Sequence, residues 1–215
     1  MDITYLGHSA FRIKSKNTTI VMDPFDASVG FKFPNMSANI VTVSHNHADH
    51  NNVGAINDVK KVLSGPGEYE IMDVSFIGLA SYHDDQEGED RGGNTVFVVE
   101  AEGLRLVHFG DLGHILSERF YERLGDIDIA LIPVGGFYTI DAQVATDIIK
   151  SLEPTITIPM HYQASGLDPK VFEKLESVEK FTSTLSQTVV ADTKLNVTVS
   201  NIGEEQKVVV LARKS

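Results

Sequence analysis

Ser44-His45-Asn46-His47-Ala48-Asp49-His50 packs four metal-ligand side chains into six consecutive positions of a 215-residue chain. It follows Ile40–Val43, a short apolar, β-branched run of the kind expected of a buried strand. In an extended segment side chains alternate, so His45 and His47 project to one side and can grip one metal ion. Asp49 and His50 come after the chain bends, and can face a second ion close by. Imidazole nitrogen together with carboxylate oxygen suits Zn²⁺, and less exclusively Mn or Fe. The competing account is a polar loop whose histidines are coincidental.

Three further ligand-type residues stand where short strands end. Tyr82-His83-Asp84 follows Ser75–Leu79, Gly110-Asp111-Leu112 follows Leu104–Phe109, and Met160-His161-Tyr162 follows Thr155–Ile158. Each alone is weak, because a Gly-Asp pair is usually a turn and a lone histidine is usually a packed or loop residue. Their force is joint: loops at one edge of stacked sheets converge, and a rigid scaffold presents their side chains to one site. His108 rivals His83, but strand alternation sets positions 108 and 111 on opposite faces, which favours His83.

The rest of the chain supplies strands first and helices later. Asp2–Leu6, Phe11–Lys14, Thr19–Met22 and Val96–Ala101 read as strands, with a hairpin turn at Glu102-Gly103. Asp128–Ile132, Leu195–Ser200 and Lys207–Leu211 read likewise. Ser117–Leu124 is a short helix stopped at Gly125, and Asp141–Leu152 carries apolar residues at helical spacing before Pro154. Asp168-Pro169 opens a further helix with an apolar face of Val171, Phe172, Leu175 and Val178. Phe25–Met36 is a loop that either walls a substrate cleft or tucks against the core. The acidic run His83–Asp90 reads as an exposed loop. This α/β pattern suggests packed sheets with helices outside, in a single domain spanning 1–215.

Composition narrows the function classes. There are 18 Lys+Arg against 30 Asp+Glu, a formal net charge of −12, eight histidines and no cysteine. Without cysteine there is no disulfide, thiolate metal site or cysteine nucleophile. The acidic balance argues against a nucleic-acid partner, since phosphate backbones are bound by basic surface. No apolar run approaches the ~20 residues needed to span a bilayer, and the N-terminus lacks a signal-peptide pattern. A cytoplasmic protein with a small-molecule substrate is expected.

With its H-x-H-x-D-H string, lone histidine, Gly-Asp and late histidine, the chain resembles the metallo-β-lactamase superfamily. The segments Gly7-His8-Ser9-Ala10-Phe11, His108–His114, Pro133–Ala142 and Ile158–Tyr162 resemble the branch that includes L-ascorbate-6-phosphate lactonase and uncharacterised metal-dependent hydrolases. The resemblance runs from Ile3 to about Val210. It implies a four-layer αββα sandwich with the site at one edge of two sheets. It also implies that His45, His47 and His83 hold one metal, that Asp49, His50 and His161 hold the other, and that Asp111 bridges them.

Two divalent ions, zinc foremost, would then supply what the sequence lacks, for it shows neither a G-x-S-x-G elbow nor a cysteine. A metal-bridging hydroxide would cleave a small ester, lactone or phosphodiester, with Asp49 orienting it. A nearby histidine or water would reprotonate the leaving group, and His114, one short loop past Asp111, is the first of His8, His108 and His114 to consider. Arg91 and Lys32 are the candidates for contacting an anionic substrate. The alternatives are a metal-stabilised binding or regulatory module without turnover, and a di-iron redox member of the same fold.

Overall fold

The computed structural model describes residues 1–214. Two mixed sheets face each other. The first has six strands, in the order Leu195–Asn196, Asp2–Gly7, Ala10–Ser15, Thr18–Met22, Ile40–Thr42, Lys61–Leu63. The second has eight: Thr188–Asp192, Lys207–Leu211, Ile156–Met160, Ile129–Pro133, Leu104–His108, Gly93–Ala101, Val74–Tyr82 and Gly67–Ile71. A two-stranded pair, Met36–Ser37 with Ile56–Asn57, stands apart.

Alternation along the strands builds the core between the sheets. Ile3, Tyr5, Phe11, Ile13, Ile20 and Met22 from the first sheet meet Phe76, Phe97, Leu106, Leu131 and Ile158 from the second. The opposite faces carry separate cores. Outside the second sheet, helices α1 (Glu118–Leu124) and α2 (Ala142–Leu152) bury Leu124, Ala145, Ile148 and Ile149 against Val98, Val107 and Ile132. Ser117 and Asp141 cap these helices, each accepting from a backbone N–H one turn on, as the sequence suggests. Outside the first sheet the covering layer is thinner. It consists of the 25–36 segment, two short 3₁₀ turns and the one-turn helix α3 (Pro169–Phe172).

Several elements differ from the sequence reading. The helix expected from Asp168 through Val178 is two pieces, α3 and α4 (Val178–Thr182). The Glu176 N–H donates to the Gly135 carbonyl, and the Gln163 N–H donates to the Glu176 carbonyl, so the chain is pinned between them. The break lets Phe172 and Leu175 serve the core outside the first sheet while Phe181 serves the core outside the second. Only Leu195–Asn196 of the expected Leu195–Ser200 strand is paired. The strands Lys61–Leu63, Gly67–Ile71 and Thr188–Asp192 have no apolar pattern that marks them in sequence, and the last is exposed at every residue. The 25–36 loop tucks inward, with Phe25 and Phe31 buried in the outer core.

Strand direction decides where the ligand loops emerge. Leu104–His108, Ile129–Pro133 and Ile156–Met160 are mutually parallel, so Asp111 and His161 leave the sheet at the same edge. Two antiparallel steps, through Gly93–Ala101, return Val74–Tyr82 to that direction, which brings His83 there as well. In the first sheet, Thr18–Met22 and Ile40–Thr42 are parallel in register Met22↔Thr42, and Asp23 and Ser44 follow. Asp2–Gly7 runs the same way, and His8 follows it.

Candidate metal centre

The His45–His50 segment is a run of bends and turns rather than an extension of the strand, which ends at Thr42. Asp23 causes the change of direction. Its carboxylate accepts the Ser44 N–H at 2.8 Å, and the His50 N–H donates to the His47 carbonyl at 2.9 Å. His45 and His47 still share a side, their ring centroids 4.5 Å apart.

Asp111 is the hub. Its Oδ2 lies 3.2 Å from Nε2 of His50, 3.2 Å from Nε2 of His83, 3.2 Å from Nε2 of His161 and 3.9 Å from Nε2 of His45. Three groups of ligand atoms each fall within 4.8 Å of one another: His45, His47 and His83; His8, Asp49, His50 and His161; His45, His50 and Asp111. All seven residues read from sequence as metal ligands come together at one edge. His8 joins them, with Nε2 3.1 Å from Asp49 Oδ2.

The hydrogen-bond pattern fits a cation. The His50 imidazole donates from Nδ1 to Asp23 Oδ2 at 2.8 Å, which leaves the Nε2 lone pair facing Asp111. Ser44 Oγ donates to the same Asp23 oxygen and stands 2.9 Å from His45 Nδ1, so His45 donates to it and also keeps Nε2 unprotonated. Nε2 of His45, Nε2 of His50 and Oδ1 of Asp111 are buried and have no hydrogen-bond partner among the described residues. Buried polar atoms without partners are costly, and a shared cation would satisfy all three at once.

The charges interlock in the same sense. Burial pushes His45 down to about 3, with the charge of His50 adding to it. Burial and the charge of His161 push His8 down to about 4. Burial alone would lower His50, but the Asp111 and Asp49 carboxylates raise it well above the usual imidazole range. Burial alone would raise Asp111, yet His161 and His50 hold it well below the usual carboxylate range. Asp49 is likewise kept low by His50 and His8 against its burial.

Two glycines let the loops close on one another. At Gly110 (φ +57°) a β-carbon would lie 2.3 Å from Asn94 Oδ1, the atom that accepts the Asp111 N–H. At Gly113 a β-carbon would lie 2.3 Å from the backbone between His83 and Asp84.

A cavity of about 260 Å³ opens onto the centre. His47, Asp49, His83, Asp111 and His161 line it, together with Asp90, Arg91, Tyr138, Val171 and Phe172. The guanidinium of Arg91 lies 5.7 Å from the Tyr138 ring centroid, and no carboxylate lies within 4.0 Å of it among the described residues. Lys32 is exposed and does not line this cavity.

Two other histidines expected near the metals sit elsewhere. Both ring nitrogens of His114 engage backbone: Nε2 accepts the Tyr82 N–H at 3.2 Å and Nδ1 lies 2.9 Å from the Ile115 carbonyl. It does not line the cavity. His108 donates from Nε2 to the Ser9 carbonyl at 2.8 Å, accepts the Gly110 N–H at Nδ1, and so ties the two sheet edges together. Two residues that sequence reasoning misses are Asp23 and Asp84. Asp84 is buried within the acidic loop and accepts four backbone N–H groups, from Gln86, Gly88, Asp90 and Arg91. Burial would raise its pKa, but those four donors bring it down to about 2. The spacing Asp84–Gln86 is an Asx-turn signal; for Asp23 the signal is the strand end at Met22 followed by Asp-Pro.

Comparison with known proteins agrees with this geometry. The model of the beta-lactamase superfamily domain matches residues 2–161. The chain belongs to the metallo-β-lactamase superfamily. Within it, the chain falls in the UPF0173 branch of metal-dependent hydrolases. It is 30% identical to a UPF0173 metal-dependent hydrolase of Desulforamulus reducens, over 86% of this chain and 94% of that one. It is 29% identical to one of Pyrococcus furiosus, over 81% and 92%. A structure from Thermotoga maritima, assigned as a Zn-dependent hydrolase of the superfamily, matches with a TM-score of 0.79 and 34% identity, over 98% and 97% of the two chains.

Proposed function

We propose that this centre holds two divalent cations, zinc foremost, and hydrolyses a small anionic ester, lactone or phosphodiester. The observation that carries the proposal is the set of buried, unpartnered ligand atoms around Asp111 Oδ2, opening onto a cavity of about 260 Å³. His45, His47 and His83 would hold one cation, and Asp49, His50 and His161 the other. Asp111 would join the two sets, since it has one oxygen among the imidazoles and a second without a partner. Bound there, the pair would acidify a water and polarise the scissile bond.

The protein groups supply the rest. Asp49 is ionised, held by His8, and borders the cavity, so it can accept a hydrogen bond from the attacking water and orient it. Arg91 places a fixed cation at the wall, where it can pair with an anionic substituent on the substrate. Val171 and Phe172 add apolar surface to the same cavity.

Metal-replete protein should contain two ions per chain by elemental analysis and should turn over members of a panel of esters, lactones and phosphodiesters. Asp111→Asn should abolish turnover and keep the circular dichroism spectrum. Absence of hydrolysis across the panel by fully loaded protein would sink the proposal, and iron content with a visible absorption band would favour redox chemistry instead.

A further inference from the structure

A second cavity, of about 350 Å³, lies on the outer face of the first sheet and shares no lining residue with the metal centre. Its walls are Thr4, Arg12, Thr193, Lys194, Arg213 and Lys214. Thr4 and Arg12 are direct partners on neighbouring antiparallel strands. Their neighbours Ile3, Tyr5, Phe11 and Ile13 point into the core between the sheets, so Thr4 and Arg12 point the other way.

Among the described residues the lining holds four cationic side chains and no carboxylate. Lys194 is already paired with Asp2 at 2.8 Å. Arg12, Arg213 and Lys214 have no carboxylate within 4.0 Å among the described residues. That runs against the balance of the whole chain, in which 30 acidic side chains outnumber 18 Lys+Arg. Random placement on such a surface would pair cations, and three unpaired ones facing a common space repel each other.

Two of them are also fixed in place. The Arg12 Nη2 donates weakly to Thr4 Oγ1 at 3.4 Å, while its Nε is buried with no acceptor. The Arg213 stem lies against Gly7, where a β-carbon would meet it at 2.7 Å, and its guanidinium stacks 4.3 Å from the Phe31 ring centroid. A guanidinium held by its stem and its face presents its N–H edge, the geometry that matches tetrahedral oxyanions.

We propose that this cavity is a second, non-catalytic site for a dianionic phosphate group, free or carried on a small molecule. Arg12 and Arg213 would hold its oxygens from two directions, Lys214 would add charge, and the hydroxyls of Thr4 and Thr193 are within the same walls. A monocarboxylate would neutralise too little of this charge, which is why phosphate is the class named. The site stands whether or not the reading of the metal centre is right.

The test is an NMR titration of metal-loaded protein labelled at the arginine side-chain nitrogens, with inorganic phosphate and with pyrophosphate. Potassium chloride at matched ionic strength serves as the control. Arg91 Nε reports on the catalytic cavity in the same spectrum. The expected result is saturable shifts of Arg12 and Arg213 Nε with one shared Kd. That Kd should weaken at least tenfold in Arg213→Gln and in Lys214→Gln, both exposed positions where folding is not at stake, and should be unchanged in Asp111→Asn. Shifts confined to Arg91, equal shifts with chloride, or a Kd unmoved by Arg213→Gln would each overturn the proposal. A response to pyrophosphate alone would also overturn it, because a single phosphate group is what the cavity is argued to take.

Discussion

Replacing Asp23 by asparagine should weaken metal binding ten- to a hundredfold while the chain stays folded. Asp23 is fully buried, and it touches no atom of the cavity. One oxygen accepts the Ser44 N–H, and an asparagine carbonyl can keep that bond. The other accepts from both His50 Nδ1 and Ser44 Oγ. An amide NH₂ in that position donates and cannot accept. Ser44 Oγ can rotate and accept instead, but the His50 imidazole can escape the clash only by moving its proton to Nε2, the atom that faces Asp111. The Ser44 oxygen keeps a second lone pair for His45 Nδ1, so the effect falls on His50. Loss of such an orienting partner typically costs 10–100-fold in metal affinity, about 1.4–2.8 kcal/mol. The assay is competition for zinc against a chromogenic chelator, with circular dichroism as the check on folding. A folded variant whose affinity stays within twofold of wild type would refute the tautomer argument. Asp23→Ala, which takes the acceptor from three buried donors (Ser44 N–H, Ser44 Oγ and His50 Nδ1), should destabilise the chain more severely, by about 3–5 kcal/mol.

Other consequences are as direct. Without metal, the carboxylates of Asp111 and Asp49 hold a proton on His50 at neutral pH, so metal uptake at pH 7 should release about one proton per chain, readable with a pH indicator in weak buffer. Removing the guanidinium in Arg91→Ala should raise KM for anionic substrates about 10–100-fold and leave that for neutral analogues nearly unchanged, with Tm shifted little because the side chain is only half-buried. Asp84 has a folded-state pKa near 2 against an ordinary 3.8, so the stability it contributes is present above pH 3.8 and lost as pH falls through 2. The stability gap between wild type and Asp84→Asn should therefore be largest near neutral pH and shrink across that window, as followed by urea denaturation at each pH.

Legibility follows the range of the interactions. The candidate ligands His45, His47, Asp49 and His50 are visible in sequence because four chemically apt residues crowd one short stretch, and His83, Asp111 and His161 because each follows a strand. Helices α1 and α2 are visible because their caps and stops are local. Sequence reading ranks His114 above His8 because closeness along the chain to Asp111 stands in for closeness in space. His8 lies 41 positions from Asp49, yet donates to it, because Asp2–Gly7 ends at the same sheet edge. His114 lies three positions from Asp111, yet turns its ring to the backbone at Tyr82.

What the sequence by itself determined is the inventory: an acidic chain without cysteine, seven ligand-type residues at strand ends, and alternation that demands two packed sheets. The tertiary structure alone decided how those ligands are oriented and what surrounds them. Asp23, Ser44 and the glycines at 110 and 113 act across loops that only the parallel strand register brings together, and Arg12 meets Arg213 only because the chain returns to the outer face of the first sheet. The physical reason is that a side chain's type is a local property. Its tautomer, its unpaired charge and its partner are properties of the atoms packed around it, and those come from segments tens to hundreds of residues away.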